Sequence, residues 1–82
     1  MRDFFVRLRS VAEIRAFVVL ATTQPFEVYA QTASQTVSAK SFMGMFSLNY
    51  HDPVRIMAQC GAEDWTAFEE AASDFRLVLE PV

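Results

Sequence analysis

The feature that most constrains this chain is a change of hydrophobic period at Ser10. Before it, Phe4, Val6 and Leu8 alternate with Phe5, Arg7 and Arg9. Period-two alternation belongs to a half-buried strand, spanning residues 3–9 here. After it, Val11, Ile14, Phe17 or Val18, and Ala21 recur at helical spacing, which predicts a helix over roughly residues 11–22. The join is a capping box: Ser10 can accept a bond from a first-turn amide, and Glu13 can reach back to the Ser10 amide. Thr22-Thr23 closes the helix, and Pro25 bars its continuation.

The same change of period repeats downstream. Phe26 to Gln31 alternates as a second strand, Ala33-Ser34-Gln35 is a turn, and Gln35 to Ala39 is a short third strand. Ser41 then caps a helix predicted over residues 42–48, rich in Met and Phe and free of charge until Asp52. Asn49 to Pro53 is a loop. Val54 to Cys60 alternates as a fourth strand, with Val54, Ile56, Ala58 and Cys60 inward, and Gly61 breaks it. A third helix begins at Glu63 or Asp64. Its apolar side carries Trp65, Phe68, Ala71 or Ala72, and Phe75, and it is expected to reach about Leu79, before Pro81. The order β-α-β-β-α-β-α predicts an α/β sandwich, with one sheet covered on one face.

At 82 residues the chain is expected to form a single domain, 1–82, with a small core. Eight phenylalanines point to an aromatic-heavy interior. A net charge of −3, with no basic run, disfavours nucleic acid and anionic membrane as partners. Arg2, Arg7, Arg9 and Arg15 lie near the N-terminus, and Glu63, Asp64, Glu69, Glu70, Asp74 and Glu80 lie in the last third. This mild asymmetry is the ordinary one of solvated faces. One cysteine, Cys60, permits no internal disulfide and fits a reducing compartment. It is expected to be buried and inert. No apolar run approaches a transmembrane span, and the start does not read as a signal peptide. A complete cytoplasmic protein is expected.

The stretch Val37-Ser38-Ala39-Lys40-Ser41-Phe42-Met43-Gly44-Met45-Phe46-Ser47-Leu48 resembles the second-helix motif of the HPr family. These are the small phosphocarriers of the bacterial sugar phosphotransferase system. Gly61-Ala62-Glu63-Asp64 is similar to the acidic turn before that family's third helix. The resemblance implies an HPr-like open-faced β-sandwich, a four-stranded antiparallel sheet covered by three helices. It implies protein partners of the phosphotransferase or catabolite-repression type, met by an apolar patch at Phe42, Met43, Met45 and Phe46. It also makes Ser41 a candidate for the regulatory phosphorylation performed by HPr kinase/phosphorylase.

The family's phosphoryl group rides on a histidine in a Gly-x-His-x-Arg-Pro motif opening the first helix. Imidazole is the nucleophile, and helix amides and the positive end of the helix dipole hold the phosphate. Counting back from Lys40-Ser41 places Ser10 on the histidine, Ala12 on the arginine and Glu13 on the proline. Every element of the carrier site is absent, and a carboxylate in that turn would repel a phosphoryl group. No enzyme activity and no cofactor are expected. No standard His/Cys metal site can be built from one His and one Cys.

Three roles are left open by the residues. In the first, the chain is a non-catalytic regulatory or partner-binding module using residues 42–48. In the second, it is a phosphocarrier with His51, the only histidine, or Ser10 as acceptor. In the third, it is an interaction module unrelated to sugar transport. Against function, Ser41 is a helix cap, the Met/Phe set is core, and His51 is an exposed loop residue. Helical geometry forbids all four Met/Phe side chains from pointing inward, so Phe42 or Met43 is expected outside. A monomer or a weak homodimer through that patch is expected.

Overall fold

The computed structural model describes residues 2–73 and 75 of the chain. The elements are β1 (Arg2–Val6), α1 (Val11–Thr22), β2 (Val28–Gln31), β3 (Thr36–Ser38), α2 (Phe42–Phe46), β4 (Val54–Ala58) and α3 (Ala62–Ala71). The strands form one sheet in the order β1-β4-β2-β3, with every neighbouring pair antiparallel. β4 therefore runs down the middle, with Val6 opposite Val54 on one side and Ala30 opposite Ile56 on the other. β1 and β2 both oppose β4, so they are parallel to each other and α1 must cross over between them. α2 makes the equivalent crossing from β3 to β4. Interleaving two crossovers in this way places each helical connection over the sheet, which is the logic of a split β-α-β unit.

The pleat sorts the side chains as the alternation predicts. Phe4 and Val6 of β1, Val28 and Ala30 of β2, and Val54, Ile56 and Ala58 of β4 are buried in the core. Phe5, Gln31 and Arg55 stand opposite one another on the other face and stay in contact with solvent. There Arg55 Nε donates to Asp3 at 2.6 Å, and Arg55 Nη1 reaches Gln31 Oε1 at 3.4 Å. This Asp3–Arg55 pair is exposed and contributes little to stability.

The helices seal the inner face with aromatic rings. Phe68 of α3 lies 5.6 Å from Phe4, 6.2 Å from Phe17 of α1, 5.8 Å from Phe26 and 5.9 Å from Trp65, ring centre to ring centre. Ile14, Phe17, Val18 and Ala21 form the buried side of α1. Val11 shares their side of the helix by angle but is 60% exposed, because it lies in the first turn, at the margin of the packed layer.

Several element ends differ from the sequence expectation. β1 stops at Val6 rather than residue 9. Its last partner, Val54, follows Pro53, which has no N–H to extend the ladder. The Arg7 amide instead donates to the Phe75 carbonyl at 3.1 Å, and Leu8 stays buried. β2 begins at Val28, β3 covers only Thr36–Ser38, and β4 ends at Ala58. Cys60 is consequently not an inward strand residue; it is partly buried at the margin of the core.

α3 begins at Ala62, one turn-edge earlier than expected, with Gly61 at its cap, and ends at Ala71. The Ser73 amide bonds the Glu70 carbonyl and the Phe75 amide bonds the Ala72 carbonyl, so the chain tightens and turns. Phe75 then packs edge-on to Phe17, 5.6 Å between centres. Residues 76–82, and with them the expected end of the helix, lie outside the described residues. Of the two alanines offered for the inner side, Ala72 is buried and Ala71 is not.

The central ring is the test of this core. Phe68→Ala is expected to destabilise the fold by about 3–5 kcal/mol, whereas Phe5→Ala on the open face should cost less than about 1 kcal/mol, measured by urea unfolding.

Candidate functional site

The chain between Lys40 and Tyr50 builds a short helix whose two sides have opposite fates. Ser41 is extended (φ −103°, ψ 117°), and its hydroxyl accepts a bond from the Gly44 amide at 3.1 Å. That is the cap expected from the sequence. The helix it starts is shorter than expected, Phe42–Phe46, because Ser47 already caps its far end. Lys40 Nζ donates to the Gln24 carbonyl at 2.9 Å, which ties the start of α2 to the turn after α1. Lys40 is thus engaged with backbone and not aimed at Ser41.

Five residues cannot sustain a helix alone, so tertiary contacts hold it. Met45 is the anchor: it is fully buried in the core with Ala39 and Leu48. Met45 therefore leaves the expected partner-facing set, because a residue with no accessible surface cannot touch a partner. Gly44 allows the close approach to β3, since a Cβ there would stand 3.1 Å from the Val37 Cβ.

The outward side carries the other three. Met43 is 87% exposed, and Phe42 and Phe46 are each 43% exposed. The two rings, one turn apart, stack at 6.3 Å with planes 16° apart. Both Phe42 and Met43 are outside, where the sequence expected one or the other. α2 packs beside α1, and α1 has its own outward stripe. Val11, Ala12, Arg15, Ala16 and Val19 line a shallow open depression there. This second stripe is faint in the sequence. Ala12, Ala16 and Val19 do recur at helical spacing, but small residues on a helix carry a weak apolar signal.

The other candidates have plain surroundings. The Ser10 hydroxyl accepts from the Glu13 amide at 3.1 Å. The Glu13 carboxylate accepts from the Arg9 amide at 2.8 Å, not from Ser10's own amide as the capping box predicted. Ser10 is extended (φ −148°, ψ 162°), and the residue outside it supplies the donor. His51 is exposed in the loop before β4, and its backbone amide donates to Asn49 Oδ1 at 2.9 Å. Its ring makes no hydrogen bond or ion pair among the described residues, and nothing joins it to Ser10. Burial and then Asp64 push the Cys60 thiol up, with Arg2 opposing. That disfavours the reactive thiolate.

Among the described residues no group of three His, Cys, Asp or Glu side chains could hold a metal ion. No described helix is long and apolar enough to cross a membrane. On the open face of the sheet, a cavity of about 410 Å³ lies between the β2–β3 turn and the loop before β4. Its walls include Phe5, Ser34, Asn49, Asp52 and Arg55.

Tyr50 was not singled out by the sequence. It follows α2, and its hydroxyl donates to the Met45 carbonyl at 2.5 Å. Desolvation raises its pKa from 10.0 to about 12. A raised phenol pKa means the folded state keeps a proton that the unfolded state has lost. This stabilisation is present below pH 10 and is lost as pH rises toward about 12. Tyr50→Phe should remove that part of the alkaline decline, read as a flatter midpoint-versus-pH profile above pH 10 in thermal melts. At the anchor, Met45→Ala should cost about 2–5 kcal/mol in urea unfolding, while Met43→Ala should shift stability by less than about 0.5 kcal/mol.

No protein-family model matches the chain, and a search of curated proteins returns no match. Among solved structures, the chain is similar to the crystal structure of HPr-C-His from Thermoanaerobacter tengcongensis. The TM-score is 0.70 at 18% sequence identity, over 90% of this chain and 93% of that one. With the strand order, the antiparallel pairing and the three helices in matching sequence order, this similarity gives the chain an HPr-like fold.

Proposed function

We propose that the chain is a non-catalytic HPr-like recognition module of the bacterial sugar phosphotransferase or catabolite-repression type. It works in the cytoplasm and meets its protein partners with α2. One observation carries this reading: Phe42, Met43 and Phe46 face solvent on a helix that is anchored from beneath by Met45. An exposed apolar cluster on a small protein is costly to solubility and marks a contact surface when contiguous. Methionine suits a surface that meets several partners, because its unbranched chain re-packs readily.

The N-terminus of α1 supports the loss of phosphocarrier chemistry. Counting back from Lys40-Ser41 puts Ser10 at the family's histidine position, and the Ser10 hydroxyl and Glu13 carboxylate already accept the Glu13 and Arg9 amides. The same carboxylate places negative charge where a phosphoryl group would need positive potential. Ser41 is the remaining candidate for chemistry, as a regulatory phosphoacceptor. Its partial exposure supports this, and a phosphate there would add close to two negative charges beside Phe42 and Met43. A charge of that size next to an apolar contact surface changes which partners it admits.

Binding to the host's Enzyme I and HPr kinase/phosphorylase, measured by calorimetry, tests the reading. Met43→Asp should weaken binding at least about ten-fold, equivalent to about 1.4 kcal/mol, with an unchanged melting temperature. Equal affinity of wild type and Met43→Asp would remove α2 as the contact surface. Incubation with phosphoenolpyruvate and Enzyme I should leave the chain unlabelled. Label that disappears in His51→Ala or Ser10→Ala would make it a carrier with a non-standard acceptor. Incubation with ATP and the kinase should label wild type but not Ser41→Ala. Failure of every one of these partners to bind would leave an interaction module unrelated to sugar transport.

A further inference from the structure

α2 is only five residues long, yet it is held at its far end by two side chains from outside the helix. Tyr50, in the loop that follows, donates from its hydroxyl to the Met45 carbonyl at 2.5 Å. Gln35, at the end of the β2–β3 turn, donates from Nε2 to the Ser47 carbonyl at 3.1 Å and to Ser47 Oγ at 3.2 Å. Ser47 Oγ passes the connection inward by donating to the Gly44 carbonyl at 2.6 Å. The last carbonyls of a helix have no partner within it, and here side chains satisfy two of them and Ser47. Apart from Tyr50, the Met45 carbonyl has only backbone amides at the helix end, those of Ser47 and, at 3.4 Å, Leu48.

We propose that Tyr50 and Gln35 are positioning residues that latch the C-terminal end of α2 and so hold Phe46 in its stack on Phe42, keeping the outward apolar surface in one geometry. The inference rests on that surface being the contact surface. A preformed surface loses less freedom on binding, so its affinity depends on what holds it as well as on what touches the partner. Neither Tyr50 nor Gln35 needs to reach the partner. The latch also spans two separate parts of the chain. Gln35 belongs to the hairpin that ends the sheet, twelve residues before Ser47. Movement of that turn therefore reaches α2 directly, through one side chain.

The geometry explains why both residues are needed. Tyr50 is half-buried, so its bond is sheltered from water, and its high pKa keeps the hydroxyl a donor at every working pH. Gln35 is exposed, and its contribution lies in reaching two atoms of one residue. Together they fix the Gly44–Ser47 end from two directions.

Amide hydrogen exchange on the isolated protein tests the latch without any partner. In Tyr50→Phe the Ser47 and Leu48 amides should exchange about five- to ten-fold faster, and in Gln35→Glu about two- to five-fold faster, while core amides of β4 are unchanged. Glutamate keeps the size of Gln35 and removes its N–H donors, and the position is exposed, so this variant should fold. Affinity for Enzyme I or HPr kinase/phosphorylase should fall about three- to ten-fold in Tyr50→Phe with little change in melting temperature. Unchanged exchange at Ser47 and Leu48 in both variants would overturn the latch. Faster exchange with undiminished affinity would overturn its positioning role. If wild type itself binds neither protein, the phosphotransferase-type reading of the partner fails, and the exchange rates still decide the latch.

Discussion

The ring of Phe68 is the contact on which the rest of the fold depends. It meets Phe4 from the first strand, Phe17 from the first helix, Phe26 ahead of the second strand and Trp65 one turn earlier on its own helix. The middle of one strand, the approach to another and two helices are thereby joined at one side chain. Each offset or edge-on aromatic pair adds to area burial a preference for a particular geometry. In a domain with so small an interior, such pairs fix the relative placement of helices and sheet that aliphatic contacts would leave looser.

That placement decides where α2 can go. The order β1-β4-β2-β3 forces the chain to leave the edge strand β3 and return to the centre as β4. The crossing is short, and α2 is what fits in it. Met45 enters the core beneath, Gly44 comes close to Val37, and Tyr50 takes the Met45 carbonyl as the chain turns into β4. Once these are fixed, Phe42, Met43 and Phe46 have no inner surface left to occupy. Their exposure follows from the topology and from a helix too short to roll.

The two helix starts show how small changes separate recognition from chemistry. Both begin with a serine whose hydroxyl takes an amide of the first turn. At α1 the adjacent carboxylate of Glu13 takes another amide and brings a negative charge. At α2 the first turn has no acidic residue. The same capping chemistry therefore closes one helix end to anions and leaves the other uncharged beside an apolar surface.

Much of this was legible along the chain. The change of period at Ser10, the Ser41 cap and the alternation of Phe4, Val6 and Leu8 are local properties, and local hydrogen bonding and pleat set them. The order of elements followed from them, and with it a single sheet covered on one face; the HPr-like class came from the resemblance carried by residues 37–48. Element ends were less legible, because β1 stops where Pro53 removes a partner's N–H and α3 stops where Phe75 turns onto Phe17. Sequence by itself determined that four Met and Phe residues on one short helix could not all be buried. Only tertiary structure decided that Met45 is the one inside, and that Tyr50 and Gln35 hold the helix, because those contacts join residues that chain distance and periodicity do not relate.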